Sequence, residues 1–252
     1  MTGERLVTAV AAGDATTVGR LLDDGLAPDT PGPDGSTALY RAAVHGDTDL
    51  ARILLAAGAD PGLESGAEHE GLPLCAAACW GYAGTVTALL DAGADPDQGE
   101  DPTGNTMTAL HWAIAGGYPA IVETLLGRGA NPDIRDSTGN TALCRAVTYG
   151  AATIVRALLD AGADPGLPDG QGRRPADLAE SRAACDIEAE ALAQAAEHAP
   201  PGARITLREE TEGEDTLLVA EVHDATGALR SESRVGTGQA EILTLLRART
   251  GS

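Results

Sequence analysis

Apolar residues recur along this chain in a fixed order, at intervals of 33 to 36 residues. The clearest mark is a leucine pair followed three positions later by glycine, and these pairs begin at Leu21, Leu54, Leu89, Leu125 and Leu158. An Ala-rich segment with helical spacing precedes the last four pairs: STALYRAAVHGD, GLPLCAAACWGY, MTALHWAIAGGY and NTALCRAVTYGA. A repeat of this length with two apolar helical segments predicts a stack of helix pairs.

Residues at the ends of the segments predict where each helix begins and ends. A threonine hydroxyl can cap the start of the first helix at Thr37, Thr108 and Thr141. Glycine adopts the left-handed conformation that ends many helices, and it follows the second helix at Gly58, Gly93, Gly129 and Gly162. An Asp-Pro or Asn-Pro step then stops the helix from resuming.

These units resemble the ankyrin repeat family, whose pattern is roughly D-x-x-G-x-T-P-L-H-x-A-A-x-x-G with L-L-x-x-G-A-D later. The resemblance covers about residues 4–195 and implies an α-solenoid of about six units, with a first unit at 4–29 and a capping unit at Gly172–Ala199. Ala38, Ala109 and Ala142 replace the family's proline, and only His111 keeps its histidine. The third repeat has a longer finger loop, Leu63–Glu70, and the fourth repeat has an insertion at Met107 and Thr108.

The pattern changes after Pro200. Three segments of short apolar alternation predict strands: ARITLREE, DTLLVAEVHD and ALRSESRV. QAEILTLLRAR then predicts an amphipathic helix over 239–249. The predicted fold class is therefore mainly α, an ankyrin-repeat α-solenoid over 1–199 followed by a small α+β (β-β-β-α) appendix over 203–252. An appendix of this size is marginally stable alone, so we expect it to dock on the last repeat or on a second chain.

Charge narrows the classes of partner. Seventeen basic residues, all arginine, stand against 38 acidic ones, so the net charge is −21, of which −18 falls on residues 1–202. Such a field repels phosphate backbones and anionic membrane surfaces, which argues against nucleic acid and membrane partners and for a protein with a basic patch. No apolar run reaches the ~18 residues of a membrane span, and no secretory signal is evident, so we expect a cytoplasmic location.

The sequence offers little catalytic or metal-binding chemistry. Cys75 and Cys79 share one helix face, but a zinc site needs further ligands, and the matching positions His111 and Cys144 are expected on the order of 10 Å away in neighbouring repeats. We therefore expect no metal and no cofactor, and interpret the four cysteines, including Cys185, as reduced core residues. His111 lacks an activated nucleophile, so we interpret it as structural and the chain as non-enzymatic.

In the ankyrin pattern, the variable positions near the end of the first helix face the binding groove. The candidate partner-binding residues at or one turn before these positions are Arg41, His45, Trp80, Trp112, Arg145 and Tyr149. Tryptophan, tyrosine and arginine are enriched among residues that dominate binding energy. The alternative is that Trp80 and Trp112 pack between repeats or against their own fingers. Four finger residues are either a charged rim of the groove or a solvated loop: Glu64, Glu68, His69 and Glu70.

These observations predict a protein–protein interaction module that binds a basic partner on its groove and fingers. Two alternatives concern the appendix. The repeats could deliver an appendix that binds a ligand or catalyses a reaction, for which Glu221, His223 and Asp224 are the available residues. Otherwise the appendix could be a dimerisation element, with helix 239–249 associating with its own copy. The sequence does not fix the oligomeric state.

Overall fold

A computed structural model describes residues 2–66, 71–100, 107–183, 191–193, 195, 196, 199, 202–212, 215–224 and 228–250. The chain divides into two compact units, residues 1–137 and 138–252. Each unit is described by itself.

The first unit consists of helix pairs that follow the predicted repeat. Its described residues form the helices α1 (Thr2–Ala11), α2 (Ala15–Asp23), α3 (Ala38–His45), α4 (Thr48–Ala56), α5 (Pro73–Cys79), α6 (Ala83–Asp91), α7 (Ala109–Gly116) and α8 (Pro119–Gly127). Neighbouring first helices pack in the order α1, α3, α5, α7, and second helices in the order α2, α4, α6, α8. Leu54, Leu89 and Leu125 from the leucine pairs are fully buried, as the repeat predicts.

The predicted helix ends are confirmed. The Thr37 hydroxyl accepts a hydrogen bond from the Tyr40 amide at the start of α3, and Thr108 caps α7 together with His111. Gly58, which follows α4, has φ +91° and therefore occupies the left-handed region that favours glycine. Alanine at the buried first-helix positions has no side-chain rotamers to lose, so it permits close packing without that entropic cost.

The second unit contains the last repeats and the appendix. Helices α9 (Ala142–Tyr149), α10 (Ala152–Asp160) and α11 (Pro175–Ala183) are followed by strands β1 (Arg204–Glu212), β2 (Asp215–His223) and β3 (Leu229–Gly236) and by helix α12 (Gln239–Thr250). Thr141 caps α9 by accepting from the Cys144 amide. The predicted order of three strands and a helix is confirmed.

The sheet is antiparallel with β2 in the centre. Leu207 pairs with Ala220 and Ile205 with Val222 across β1 and β2. Leu218, Ala220 and Val222 form a small core with Ala191 and Ala195, which precede the sheet in the sequence. Helix α12 packs against α10 and α11, so the appendix docks on the last repeats of its own chain.

The predicted domains, 1–199 and 203–252, stay a prediction, and the boundary between the compact units lies inside the predicted solenoid, at 137/138. The docking of α12 on α10 and α11 accounts for this, because it joins the last repeats and the appendix in one unit. Within the described ranges, no helix is long and apolar enough to cross a membrane.

Candidate partner-binding surface

Trp80 is the most exposed large apolar side chain of the described residues. It follows α5, whose last turn contains Cys79, and 59% of its surface is open to solvent. All six aromatic side chains of the chain lie within the described ranges, and none belongs to the buried core. The predicted site residue Trp80 is therefore at the surface, and the interpretation that it packs between repeats does not describe it.

Trp112 is held by its own chain. Its indole Nε1 donates to Glu100 Oε2 over 2.8 Å, and its side chain is half-buried. Burial raises the pKa of the Glu100 carboxyl, although hydrogen bonds from Trp112 and from the Leu72 amide act in the opposite direction. This contact agrees with the alternative interpretation, in which the Trp112 ring lies against its own finger, here at Glu100.

Arg41 is also tied to a finger loop. Its Nη2 donates to Asp34 Oδ2 over 2.5 Å and its Nε donates to Ser36 Oγ over 3.1 Å. The Ser36 hydroxyl donates to Asp34 Oδ1 over 2.6 Å, and this bond is the main reason that the pKa of the Asp34 carboxyl falls to about 2. Arg41 therefore holds the loop before α3 in place, and its side chain remains partly exposed at the protein surface.

His45 lies at the end of α3 and is exposed. Its Nδ1 lies 2.7 Å from the Arg41 carbonyl oxygen, one turn earlier in the same helix. That contact orients the ring but leaves it open to solvent. In the first unit, His45 and Trp80 are thus the two predicted site residues that are exposed.

The other two predicted residues, Arg145 and Tyr149, lie together in the second unit. Both are half-buried and line a cleft of about 300 Å³ beside α9. Asp169 and Arg173 line the same cleft and form an ion pair at 2.8 Å. Burial alone would raise the pKa of the Asp169 carboxyl, but hydrogen bonds from the Arg173 amide and side chain and from the Gln171 amide hold it below its usual value.

Of the four predicted finger residues of the third repeat, Glu64 alone lies within the described residues. Glu64 is half-buried and raises the pKa of Glu100 through its charge. Glu68, His69 and Glu70 lie outside the described residues. Whether these three form a charged rim stays a prediction.

The cysteines and His111 occupy structural positions. Cys75 and Cys144 are buried, but Cys79 is only partly so, because it lies in the last turn of α5 near the surface. Burial raises the pKa of the Cys75 and Cys79 thiols. Cys185 lies outside the described residues. His111 is fully buried, and its Nδ1 accepts from the Thr108 amide over 3.3 Å. Among the described residues, no group of three or more His, Cys, Asp or Glu side chains could hold a metal ion.

The polar residues of the appendix interact with one another. Arg208 Nε donates to Glu221 Oε1 over 2.6 Å, and His223 Nε2 lies 3.7 Å from Glu221 Oε2. Asp224 Oδ1 accepts from the Ala228 amide over 3.1 Å, after the end of β2 and before the start of β3. The Glu221 and Asp224 carboxylates thus accept hydrogen bonds from Arg208 and from the Ala228 amide within the appendix itself.

Sequence reasoning missed Tyr82 and Tyr118. Tyr118 packs against Gly81, where an added β-carbon would come within 2.6 Å of its ring, and Tyr82 packs against Gly46 in the same way. Both tyrosines stand directly before a second helix, and both rings are half-buried near the ends of the first helices. The recurring Gly-Tyr dipeptide at 81–82 and 117–118 was the available signal.

Comparison with known proteins is consistent with this architecture. The family model described as ankyrin repeats, three copies, matches residues 6–100 and 74–169. Among solved structures, an ankyrin repeat domain from Acinetobacter baumannii AYE has a TM-score of 0.65 at 31% identity and covers 71% of this chain and 91% of its own. The human ASB11 ankyrin repeat domain has a TM-score of 0.59 at 25% identity and covers 69% and 75% of the two chains.

Curated relatives share the repeats within much longer proteins. Mouse ankyrin repeat and SAM domain-containing protein 6 is 42% identical over 108 residues, which are 42% of this chain and 11% of that protein. Human SH3 and multiple ankyrin repeat domains protein 1 is 35% identical over 138 residues, which are 54% and 6% of the two proteins. The chain thus spans a small fraction of the curated relatives it matches. Because the family model covers residues 6–169, more than half of the sequence, the chain belongs to the ankyrin repeat family.

Proposed function

We propose that the chain is a non-enzymatic module that binds another protein through the ends of its first helices and its finger loops. The observation that carries the proposal is the exposure of Trp80, at 59%, in a chain whose few aromatic residues all lie outside the core. Tryptophan is enriched among the residues that dominate binding energy at protein interfaces. The repeat family, whose members include long multidomain relatives, is consistent with such a role.

The partner is proposed to present a basic patch. The charge of −18 on residues 1–202 attracts cations and accelerates the encounter with a basic protein, while salt screens that attraction. His45 and Trp80 are the proposed contacts in the first unit, and Arg145 and Tyr149 in the second. Arg41 and Trp112 are proposed to act mainly through the finger loops that they fix.

The location is proposed to be cytoplasmic. The three described cysteines are free, which agrees with a reducing compartment, where thiols persist without pairing. Neither a cofactor nor a catalytic step forms part of the proposal.

The test begins with affinity purification from the native cytosol, with the whole chain as bait, followed by measurement of the dissociation constant for the captured partner. We expect Trp80→Ala to raise that constant on the order of tenfold or more, since truncating a dominant contact costs at least ~1–2 kcal/mol. Leu229→Ala is the matched control, because Leu229 is also a large apolar side chain that is half exposed. An unchanged dissociation constant for Trp80→Ala would overturn the surface assignment.

Salt dependence tests the charge of the partner separately. We expect the association rate to fall steeply as sodium chloride increases, with a smaller change in the dissociation rate. An association rate that is independent of salt would contradict a basic partner while leaving the role of Trp80 intact.

A further inference from the structure

Helix α12 lies where the second helix of the last repeat would lie, beside α10 and against α11. In the first unit, each second helix packs beside the next one, as α6 does between α4 and α8. In the second unit, the neighbour of α10 is α12, and α12 also packs against α11, as a second helix does against its first helix. The terminal pair is therefore α11 and α12, although the sheet separates them in the sequence.

Two alanines of the predicted capping unit that lie after α11 have another use. Ala191 and Ala195 are buried in the cluster formed with Leu218, Ala220 and Val222 of strand β2. The predicted capping unit, Gly172–Ala199, thus supplies α11 as expected, but its Ala191 and Ala195 support the sheet. The strands are an insertion between the two helices of the last pair.

The start of α12 is fitted closely to the turn between α9 and α10. The Gly238 amide donates to the Gly150 carbonyl over 3.3 Å, and Gln239 Nε2 donates to the Val147 carbonyl over 3.4 Å. A β-carbon at Gly238 would lie 2.9 Å from Ala152 Cβ, so glycine permits this approach. These contacts fix where α12 begins.

The apolar contact of α12 rests on a few side chains. Its buried residues are Gln239, Ile242 and Leu246, so two of the three are apolar. Gln239 Oε1 is buried without a hydrogen-bond partner among the described residues, which opposes docking because a desolvated acceptor is left unsatisfied. Leu243 and Leu245 are only half-buried. Polar contacts add to this apolar contact.

Those polar contacts are mostly exposed ion pairs. Arg156 on α10 pairs with Glu241, and Arg249 pairs with Asp160. Arg247 Nη2 lies 3.5 Å from Glu180 Oε1 on α11. Arg249 Nη1 also donates to the Leu159 carbonyl over 3.1 Å, at the end of α10 where cations are favoured. The side chains of the three ion pairs are 40% to 62% exposed, so mobile ions compete with them.

We infer that α12 is a detachable cap: it completes the terminal repeat as its second helix, and the exposed ion pairs of Arg156, Arg247 and Arg249 add to its apolar contact in holding it there. Release of the cap uncovers the sides of α10 and α11 while the remaining repeats stay folded. The apolar side of α12 is occupied by its own chain when the cap is closed, so self-association through that side requires release first. The inference is independent of the proposed partner surface.

Amide hydrogen exchange of the full chain tests this inference. We expect the amides of α12 to exchange on the order of tenfold faster in about 1 M sodium chloride than at low salt, because three exposed ion pairs are screened. The amides of α8 should keep their rate, since they report on unfolding elsewhere. A rate in α12 that ignores salt, or that rises together with the rate in α8, would overturn the detachable cap.

Variants test whether the salt response of α12 arises from these ion pairs or from a general effect of salt on stability. The double variant Arg156→Ala, Arg249→Ala should exchange the α12 amides about tenfold faster at low salt and lose most of its salt response. Arg128→Ala is the matched control, because Arg128, directly after α8, forms a comparable ion pair at 2.7 Å with Asp91 at the end of α6. Unaltered exchange in the double variant, or equal acceleration in Arg128→Ala, would show that these ion pairs do not hold α12.

Discussion

The ring of Tyr82 lies over Gly46 of the preceding repeat, so close that a β-carbon on Gly46 would come within 2.6 Å of Tyr82 Cδ1. Gly46 ends α3 with φ +68°, in the left-handed region. Two separate constraints, backbone conformation and ring contact, therefore act on one residue. The tyrosine in turn stands before α6, so the contact joins the first helix of one repeat to the second helix of the next.

Gly46→Ala should lower the free energy of unfolding by about 2–4 kcal/mol, the sum of backbone strain and displacement of the ring. Gly58→Ala is the control, because Gly58 has φ +91° but no atom within 4 Å of an added β-carbon. That variant should cost about 1–2 kcal/mol from strain alone. Denaturant titration of both variants checks the difference, and equal losses would contradict a role for Tyr82.

The titration of Asp34 offers a test of the loop before α3. Its pKa of about 2 depends first on the Ser36 hydroxyl and then on the Ser36 amide, with Arg41 contributing less. Ser36→Ala should therefore raise the pKa of Asp34 towards the ordinary value of 3.8, and Arg41→Ala should raise it by a smaller amount. Carboxyl chemical shifts followed by NMR measure each pKa. The reverse order of the two variants would contradict the assignment.

The same lowered pKa fixes the sign of a pH effect. A carboxyl whose pKa is lower in the folded state adds stability above its unfolded pKa, and this is lost as pH falls through the folded pKa. The contribution of Asp34 should therefore disappear between pH 3.8 and about 2.

Glu100 should show the opposite sign. Burial raises its pKa above 4.5, so its ionisation opposes folding, and stability decreases as pH rises from 4.5 through the raised value. Glu100→Gln keeps an acceptor for Trp112 Nε1 without the charge, so it should remove that decrease. We expect the variant to gain stability relative to the wild type as pH increases from 4 to 7, as measured by denaturant titration. A constant difference across this range would show that Glu100 does not titrate differently in the folded state.

The repeat and its helix ends could be predicted from the sequence because their causes are local. Thr37 caps the helix that begins beside it, and Gly58 adopts its own φ, so both signals lie within one turn of their effect. The strands and α12 were predicted for the same reason, since alternation and amphipathicity are properties of short segments.

Contacts between distant segments could not be predicted in this way. The hydrogen bond of Trp112 with Glu100 depends on the path of a finger loop, and the sequence alone left open whether this ring faces a partner or its own finger. The position of α12 depends on which helix pairs with α11 in the last repeat. The sequence predicted that the residues up to Ala199 would form that partner. Ala191 and Ala195 pack instead on β2, because the apolar side of the sheet needs a cover.

Thiol reactivity should distinguish the cysteines by burial. In a Cys185→Ser background, Cys79 should react with a thiol reagent in the folded state, but more slowly than a free thiol, because burial and the charge of Glu100 raise its pKa. Cys75 and Cys144 are buried and should react only when the chain unfolds. With a disulfide reagent, the absorbance of the thiolate that it releases on reaction measures the rates. The further replacement Cys79→Ser should abolish the reaction in the folded state. Fast labelling that survives this replacement would contradict the burial of the other two thiols.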